Sequence, residues 1–306
     1  MALSGRMATG LNPRQLQEGL NKILDESLVH VYEGPHEKIF PTKSHKKIIF
    51  EIQKLAGMGP AGQKGEGVAI SNYDSVDQVW TYTPRLLTYE KSARITLEAQ
   101  HYNLYMDLLP RIGKELAKAH KIRKDIECAN VLINAFDTAY TYGDGKALCV
   151  SDHPVQYGGT ISNVLTQDFD EDALEAARVR IYGFVNDDGQ LGNYEPKKLV
   201  YPTNLMHEVE RVLKSSLQPN TANNDINVNK DLGDISEKIM WKRLSDTDSF
   251  YILTNHEDGF CLAESMGVTM KEFAENFTWD TVVSTIAMWV PIVLDSPRAI
   301  VGSAGV

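Results

Sequence analysis

A chain of 306 residues is long enough to bury a sizeable core, in one large domain or two modest ones. Its 42% apolar and 24% charged content is that of an ordinary soluble globular protein and excludes global disorder. Lys and Arg number 31 against 41 Asp and Glu, so the net charge of −10 excludes a surface built throughout to grip nucleic acid, though not a weak or local contact. Cys128, Cys149 and Cys261 are far apart and form no C-x-x-C pair, as expected of reduced thiols in a cytosolic setting. The opening MALSGRMATG lacks the apolar stretch of a signal peptide. The most apolar run, 281–294, is interrupted by Pro291 and too short to span a bilayer.

In chain order, Asn12-Pro13 reads as a helix start, with Asn12 as N-cap, Pro13 at the first helical position, and Leu16, Leu20 and Leu24 at spacing four behind it. That predicts one amphipathic helix without a neighbouring partner. Residues 42–56 fit neither period and are compatible with strand or short helix. Val68, Ile70, Val79, Trp80 and Tyr82 favour strands around a turn at Asn72-Tyr73-Asp74-Ser75, and 81–96 is also β-prone. Residues 48–98 thus read as a long β-rich excursion, too poor in apolar residues to bury itself and in need of another surface to lie on.

The clearest element spans 103–138. Leu109, Ile112, Leu116, Ala119, Ile126, Ala129, Ile133 and Phe136 recur in steps of three and four, which predicts a long amphipathic helix with Pro110 at its start or at a kink. Arg111, Lys114, Lys118, Lys121, Arg123 and Lys124 form a basic outer face, either solvated or a weak, salt-sensitive contact with phosphates. A second helix is predicted over 171–185, capped by Asp170 or Asp172, with Leu174, Ala177, Ile181 and Phe184 on one face. A strand at 198–201 leads through Pro202 and Thr203 into a third helix with Leu205, Val209 and Val212. Strands are expected at 251–254 and 281–294, with short strands and turns elsewhere, and Met266, Met270 and Phe273 read as core positions.

Two stretches invite chemistry. In KLAGMGPAGQKGEG, 54–67, Gly57, Gly59 and Gly62 spell G-x-G-x-x-G, the fingerprint of dinucleotide-binding folds. Such a site needs a buried strand before it and a helix opening after it. Here Pro60 sits inside the motif and β-prone residues follow, so the glycines read as a φ-permissive loop tip. A soluble oxidoreductase using these glycines is the competing reading. In 142–154, Asp144, Lys146, Cys149, Asp152 and His153 crowd together. A thiol nucleophile with His153, or a metal on Cys149, Asp152 and His153, would use them. Sequence neighbours seldom converge, so the favoured reading is a structural loop with Asp144-Gly145 as a turn and His153-Pro154 extended. His207, beside Glu208 and Glu210, reads as part of a solvated face. No catalytic, cofactor-binding or metal-binding residue is assigned. A structural protein whose arm and loop need partners is the reading that remains.

The order of segments carries a resemblance. The long helix ends in ANVLINAFD (129–137), followed by GDGKAL (143–148), SDHP (151–154), GGTISN (158–163), LVYP (199–202), NNDIN (223–227), and finally Ser296-Pro297-Arg298 with Val301-Gly302-Ser303. Taken together these pieces resemble the major capsid proteins of tailed bacteriophages, which have the Hong Kong 97 fold. The resemblance spans nearly the whole chain and implies an α+β fold in four parts. Residues 1–47 would form an N-terminal arm. Residues 48–98 would form an extended β loop overlapping a neighbouring subunit, with Gly57, Gly59, Gly62, Lys64 and Glu66 at that contact. Residues 99–144 and 256–295 would form a peripheral domain with the long helix as its spine. Residues 145–255 and 296–306 would form an axial domain.

The resemblance further implies self-assembly through hexamers and pentamers into an icosahedral head around double-stranded DNA. Portal and scaffold proteins, and in some heads a decoration protein, are the implied partners. No enzyme activity, cofactor or membrane is implied, and the chain would be made in the host bacterial cytoplasm and reside in the virion. The acidic balance suits a shell that confines DNA without adhering to it, the basic helix face being a weak, non-specific exception. The short N-terminus points to a separate scaffold and no N-terminal cleavage. Within the same fold, an encapsulin-like nanocompartment is the alternative.

Overall fold

The computed structural model describes residues 34–66, 73, 76–98, 105–157, 159–217, 226–256, 259–274 and 280–305, and within them the side chains of all but 105–110 and 272–274. The helix expected around Asn12 to Leu24, the strand at Val68 and Ile70, most of the 72–75 turn and the side chain of Phe273 lie outside these residues.

A short helix α1 (His36–Ile39) leads into β1 (Thr42–Ser44), then β2 (Ile52–Leu55), β3 (Gln78–Tyr82) and β4 (Leu87–Ile95). The long helix α2 (Tyr105–Ile133) is followed by β5 (His153–Val155), β6 (Gly159–Ile161), β7 (Val164–Leu165), α3 (Glu171–Tyr182) and β8 (Pro196–Tyr201). The chain continues through a 3₁₀ turn into α4 (Met206–Lys214), α5 (Val228–Leu232), β9 (Glu237–Met240), β10 (Phe250–Thr254), β11 (Phe260–Ala274), β12 (Thr281–Val293), α6 (Ser296–Ala299) and β13 (Ile300–Ser303). The segment at 42–56 is thus two strands. Helix α2 runs through Pro110 instead of starting there, and it stops at Ile133, five residues short of the expected end at 138. Asp170, not Asp172, caps α3, its carboxylate accepting the Ala173 N–H at 2.6 Å. No helix among the described residues is long and apolar enough to cross a membrane.

Two sheets organise the molecule. One runs β1-β11-β12-β4, with β1 parallel to β11 and the other pairs antiparallel. On β12, Val283, Thr285, Ala287 and Trp289 are buried in alternation with half-buried residues, so one face of this sheet is covered. Leu116 and Ala117 of α2 lie over its far end against Ile95, Met270 and Val283. Pro291 sits in this strand without breaking a ladder on both sides, because β4 ends opposite Trp289 and Pro291 faces only β11.

The second sheet runs β7-β13-β10-β8-β9. All five residues of β10 are buried, because both faces of the sheet are covered. Phe250 and Ile252 join Leu174, Ala177 and Ile181 of α3 and Val209 and Val212 of α4. Tyr251 and Leu253 point the other way, into the cluster with Cys128, Ala129 and Leu132 of α2 and Trp289 of β12. This shared cluster welds the two sheets together. Tyr251 also donates its hydroxyl at 2.9 Å to the Leu132 carbonyl, which accepts the Ala135 N–H as well, at 3.0 Å.

Candidate functional site

The excursion at 48–98 is where sequence and fold leave an unexplained surface. Strands β2 and β3 pair antiparallel, with Ile52 opposite Tyr82 and Lys54 opposite Trp80. Phe50, Ile52 and Tyr82 cover a small core of Leu86, Cys261, Ala263 and Ile292 on the first sheet. The base of the excursion therefore packs on its own subunit. Its other side does not: Ile48, Ile49, Leu55, Met58, Val76 and Leu87 are 45–62% exposed and Tyr73 is 80% exposed. So many large apolar side chains in one segment mark an interaction surface.

The base is held by charge. Lys54 Nζ lies 2.9 Å from Asp187 Oδ2 and 2.9 Å from Asp295 Oδ1. Arg298, 1% exposed, donates to Asp187 Oδ1 at 2.8 Å and to the Val185 carbonyl at 2.7 Å, and its remaining nitrogen faces Asp295 at 3.3 Å. His256 Nε2 lies 3.4 Å from the other Asp295 oxygen. Burial alone would push the Asp295 carboxyl up, but His256, Lys54 and Arg298 outweigh it and hold the group well below the usual carboxylate range. Burial likewise works against the Arg298 guanidinium, and the two carboxylates reverse that and hold its proton more firmly. Two further contacts reach from the loop to the body. Tyr157 donates its hydroxyl to Asp77. The Trp80 ring lies so close on Gly143 that a Cβ there would sit 2.6 Å from it.

The glycine-rich tip gives a different picture from the cofactor motif. Residues 56–65 are irregular, β2 before them belongs to a two-stranded hairpin, and no helix opens before Glu66. Gly57, Gly62, Lys64 and Glu66 are exposed and Gly59 is half-buried. None of the three motif glycines uses left-handed backbone, which corrects the expectation that they serve as φ-permissive joints in this conformation. Gly57 lies beside Asp188, whose carboxylate a Cβ would meet at 3.4 Å, an ordinary contact.

The residues of 142–154 are engaged separately. Cys149 is buried against Gly302 and Tyr251, and burial pushes its thiol far up, away from the thiolate a nucleophile needs. One ring nitrogen of the buried His153 meets Asp144 at 2.5 Å and the other meets Asn163 at 3.1 Å. Asn163 in turn accepts the Val150 N–H and donates to the carbonyls of Leu148 and Ser296, so the group ties the loop to the start of α6. Asp152 is exposed and pairs with Lys146. Gly145 takes φ +76° in the expected Asp144-Gly145 turn, and His153-Pro154 is extended in β5. His207 is exposed on α4.

The sequence alone does not reveal the Lys54 cluster. Its members come from four distant places, and only Asp295 and Arg298 carry a local signal, an i, i+3 spacing across Ser296-Pro297.

Residues 81–302 match the family model described as phage capsid protein. A comparison with curated proteins gives no match. Among solved structures the chain is similar to the capsid of a native GTA particle, at 13% identity and TM-score 0.56, over 89% of this chain and 91% of that one. It is similar to a chain of the head of Helicobacter pylori bacteriophage KHP40, at 10% identity and TM-score 0.52, over 89% and 91%. The virus-like particle from Pyrococcus furiosus gives 11% identity and TM-score 0.52 over 94% and 99%. At such identities the structures establish a shared fold, and the family match adds the kind of protein. The chain thus belongs to the phage capsid protein family: it is a major capsid protein of the Hong Kong 97 fold, a component of the phage head.

Proposed function

We propose that the chain self-associates through hexamers and pentamers into the icosahedral head of a tailed phage and encloses its double-stranded DNA, with no enzymatic role. The observation that carries the assembly reading is the division of the excursion. Its base is fixed to its own subunit by Lys54 and a small core, while its outer apolar residues stay open. Heterologous contacts of this kind, repeated around a ring, close into a shell. In this reading Gly57, Gly59, Gly62, Lys64 and Glu66 meet the neighbouring subunit. Residues 1–47 act as an arm, 48–98 as the extended loop, 99–144 with 256–295 as a peripheral domain, and 145–255 with 296–306 as an axial domain. Portal and scaffold proteins, and in some heads a decoration protein, are the further partners.

The test is deletion of Gly57 to Gly67. The subunit is expected to stay folded and to lose shell assembly or shell stability. Unfolding of the isolated subunit would place the segment in a core and overturn the layout. Particles holding a co-purifying enzyme in place of genome-length nucleic acid would favour the nanocompartment.

A further inference from the structure

Six of the seven Asp, Glu, Lys and Arg residues between 111 and 124 are basic, in a chain whose net charge is −10. The structure sorts these cations into two sets. Arg123 pairs with Glu127 at 2.5 Å and lies over the Tyr89 ring, and Lys124 pairs with Glu264 at 2.8 Å. The side chains of Arg111, Lys114, Lys118 and Lys121 have no ion pair or hydrogen bond among the described residues. With 3.6 residues per turn, these four fall within about 80° of arc and extend about 15 Å along the axis. Gly113, Leu116, Ala117 and His120, buried, lie on the side of α2 turned to the sheet, away from the cations. Glu115 flanks the stripe, and Lys121 borders a cleft that also holds His36, Glu37 and Lys124.

The chemistry of this face selects its partner. Between Arg111 and Tyr140 no large apolar side chain is strongly exposed. A protein partner would find no apolar anchor there. A row of unpaired cations on a rigid helix suits a partner that offers regularly spaced negative charge and asks for no pocket. Duplex DNA presents one charge about every 1.7 Å of its axis. We infer that Arg111, Lys114, Lys118 and Lys121 form a non-specific contact for the backbone phosphates of double-stranded DNA. That the DNA is the packaged genome rests on the shell reading. Binding to duplex does not, so the two fail separately.

The experiment titrates purified full-length protein against two unrelated duplexes between about 50 and 200 mM salt. The four contacts are expected to give a log–log slope of about −3 to −4. The double variant Lys114→Gln and Lys118→Gln, which keeps good helix formers, should make the slope shallower by about two, equally for both sequences. Either single substitution should remove about one. Lys230→Gln, at an exposed lysine of α5, should leave the slope unchanged. An unchanged slope in the double variant overturns the inference. So does an equal loss on Lys230→Gln, or stripe-dependent binding of polyglutamate without binding of duplex, which would assign the face to an acidic protein.

Discussion

Lys54 Nζ lies 2.9 Å from Oδ1 of Asp295, joining the first strand of the extended loop to the crossover between the two sheets. The same ammonium reaches Asp187, and Arg298 grips both carboxylates from the other side. The loop is therefore not a free tether. Its base is positioned by its own subunit, and its outer apolar side chains are exposed.

Lys54→Ala leaves the buried Asp187 with Arg298, and the buried Asp295 with Arg298 and His256. Removing one partner from a buried pair costs about 3–5 kcal/mol, and the remaining guanidinium should hold the loss near the lower end. The loss should be local. Hydrogen exchange is expected to quicken at Ile52–Leu55 and Gln78–Tyr82 and to change little in β10. Equal acceleration throughout would mean that the cluster supports the whole fold.

Acid should release the same contact only late. The Asp295 carboxyl is depressed in the folded protein, so its stabilisation is present above the unfolded value of about 3.9 and lost as pH falls through the lower folded value. Protection of β2 and β3 is expected to persist to about pH 4. Loss of protection near neutrality would show that Asp295 does not anchor the loop.

Gly143→Ala tests the second anchor. Its Cβ would lie 2.6 Å from Cζ3 of Trp80, inside contact distance of a rigid ring. Overpacking of this kind costs about 1–3 kcal/mol. A displaced Trp80 should shift the tryptophan fluorescence relative to the same substitution made in a Trp80→Phe background. Identical shifts in the two backgrounds would contradict the contact.

His120 gives the spine helix a pH dependence of its own. Its Nε2 lies 2.9 Å from Thr285 Oγ1, and Thr285 donates its one hydroxyl proton to the Lys91 carbonyl, so the imidazole donates from Nε2. Burial lowers the histidine's pKa, more than the Thr285 hydrogen bond raises it. The contribution is therefore present above the unfolded value of about 6.5 and lost as pH falls toward the lower folded value. Unfolding by denaturant should show wild type losing stability below about pH 6.5 relative to His120→Gln. Parallel pH profiles for the two proteins would refute this.

How far the sequence could be read depended on how local each cause was. Helix α3 announced itself through Asp170 and the steps Leu174, Ala177 and Ile181, and β12 through the apolar run at 281–294. Strand β11 was not anticipated. Register shifts between Glu264 and Met266 and between Met266 and Thr269 break its alternation, and Gly267 interrupts it, so its partner β12 defines it more than its own pattern does. The basic face of α2 was legible, but its division into paired and unpaired cations was not, because Glu264 and Tyr89 come from other strands. The three motif glycines matched a fingerprint by spacing and failed it by context, since a hairpin strand and no helix flank them. Asp187 and Asp295 are far apart in the chain and meet Lys54 only when both sheets are in place.

The central claim is that this chain builds a closed shell. Electron microscopy of the purified protein across a range of salt and protein concentrations tests it most directly. Closed icosahedral particles with hexameric and pentameric units are expected, and they should disappear on deletion of Gly57 to Gly67. Only monomers or dimers by microscopy and light scattering under every assembly condition would contradict the account.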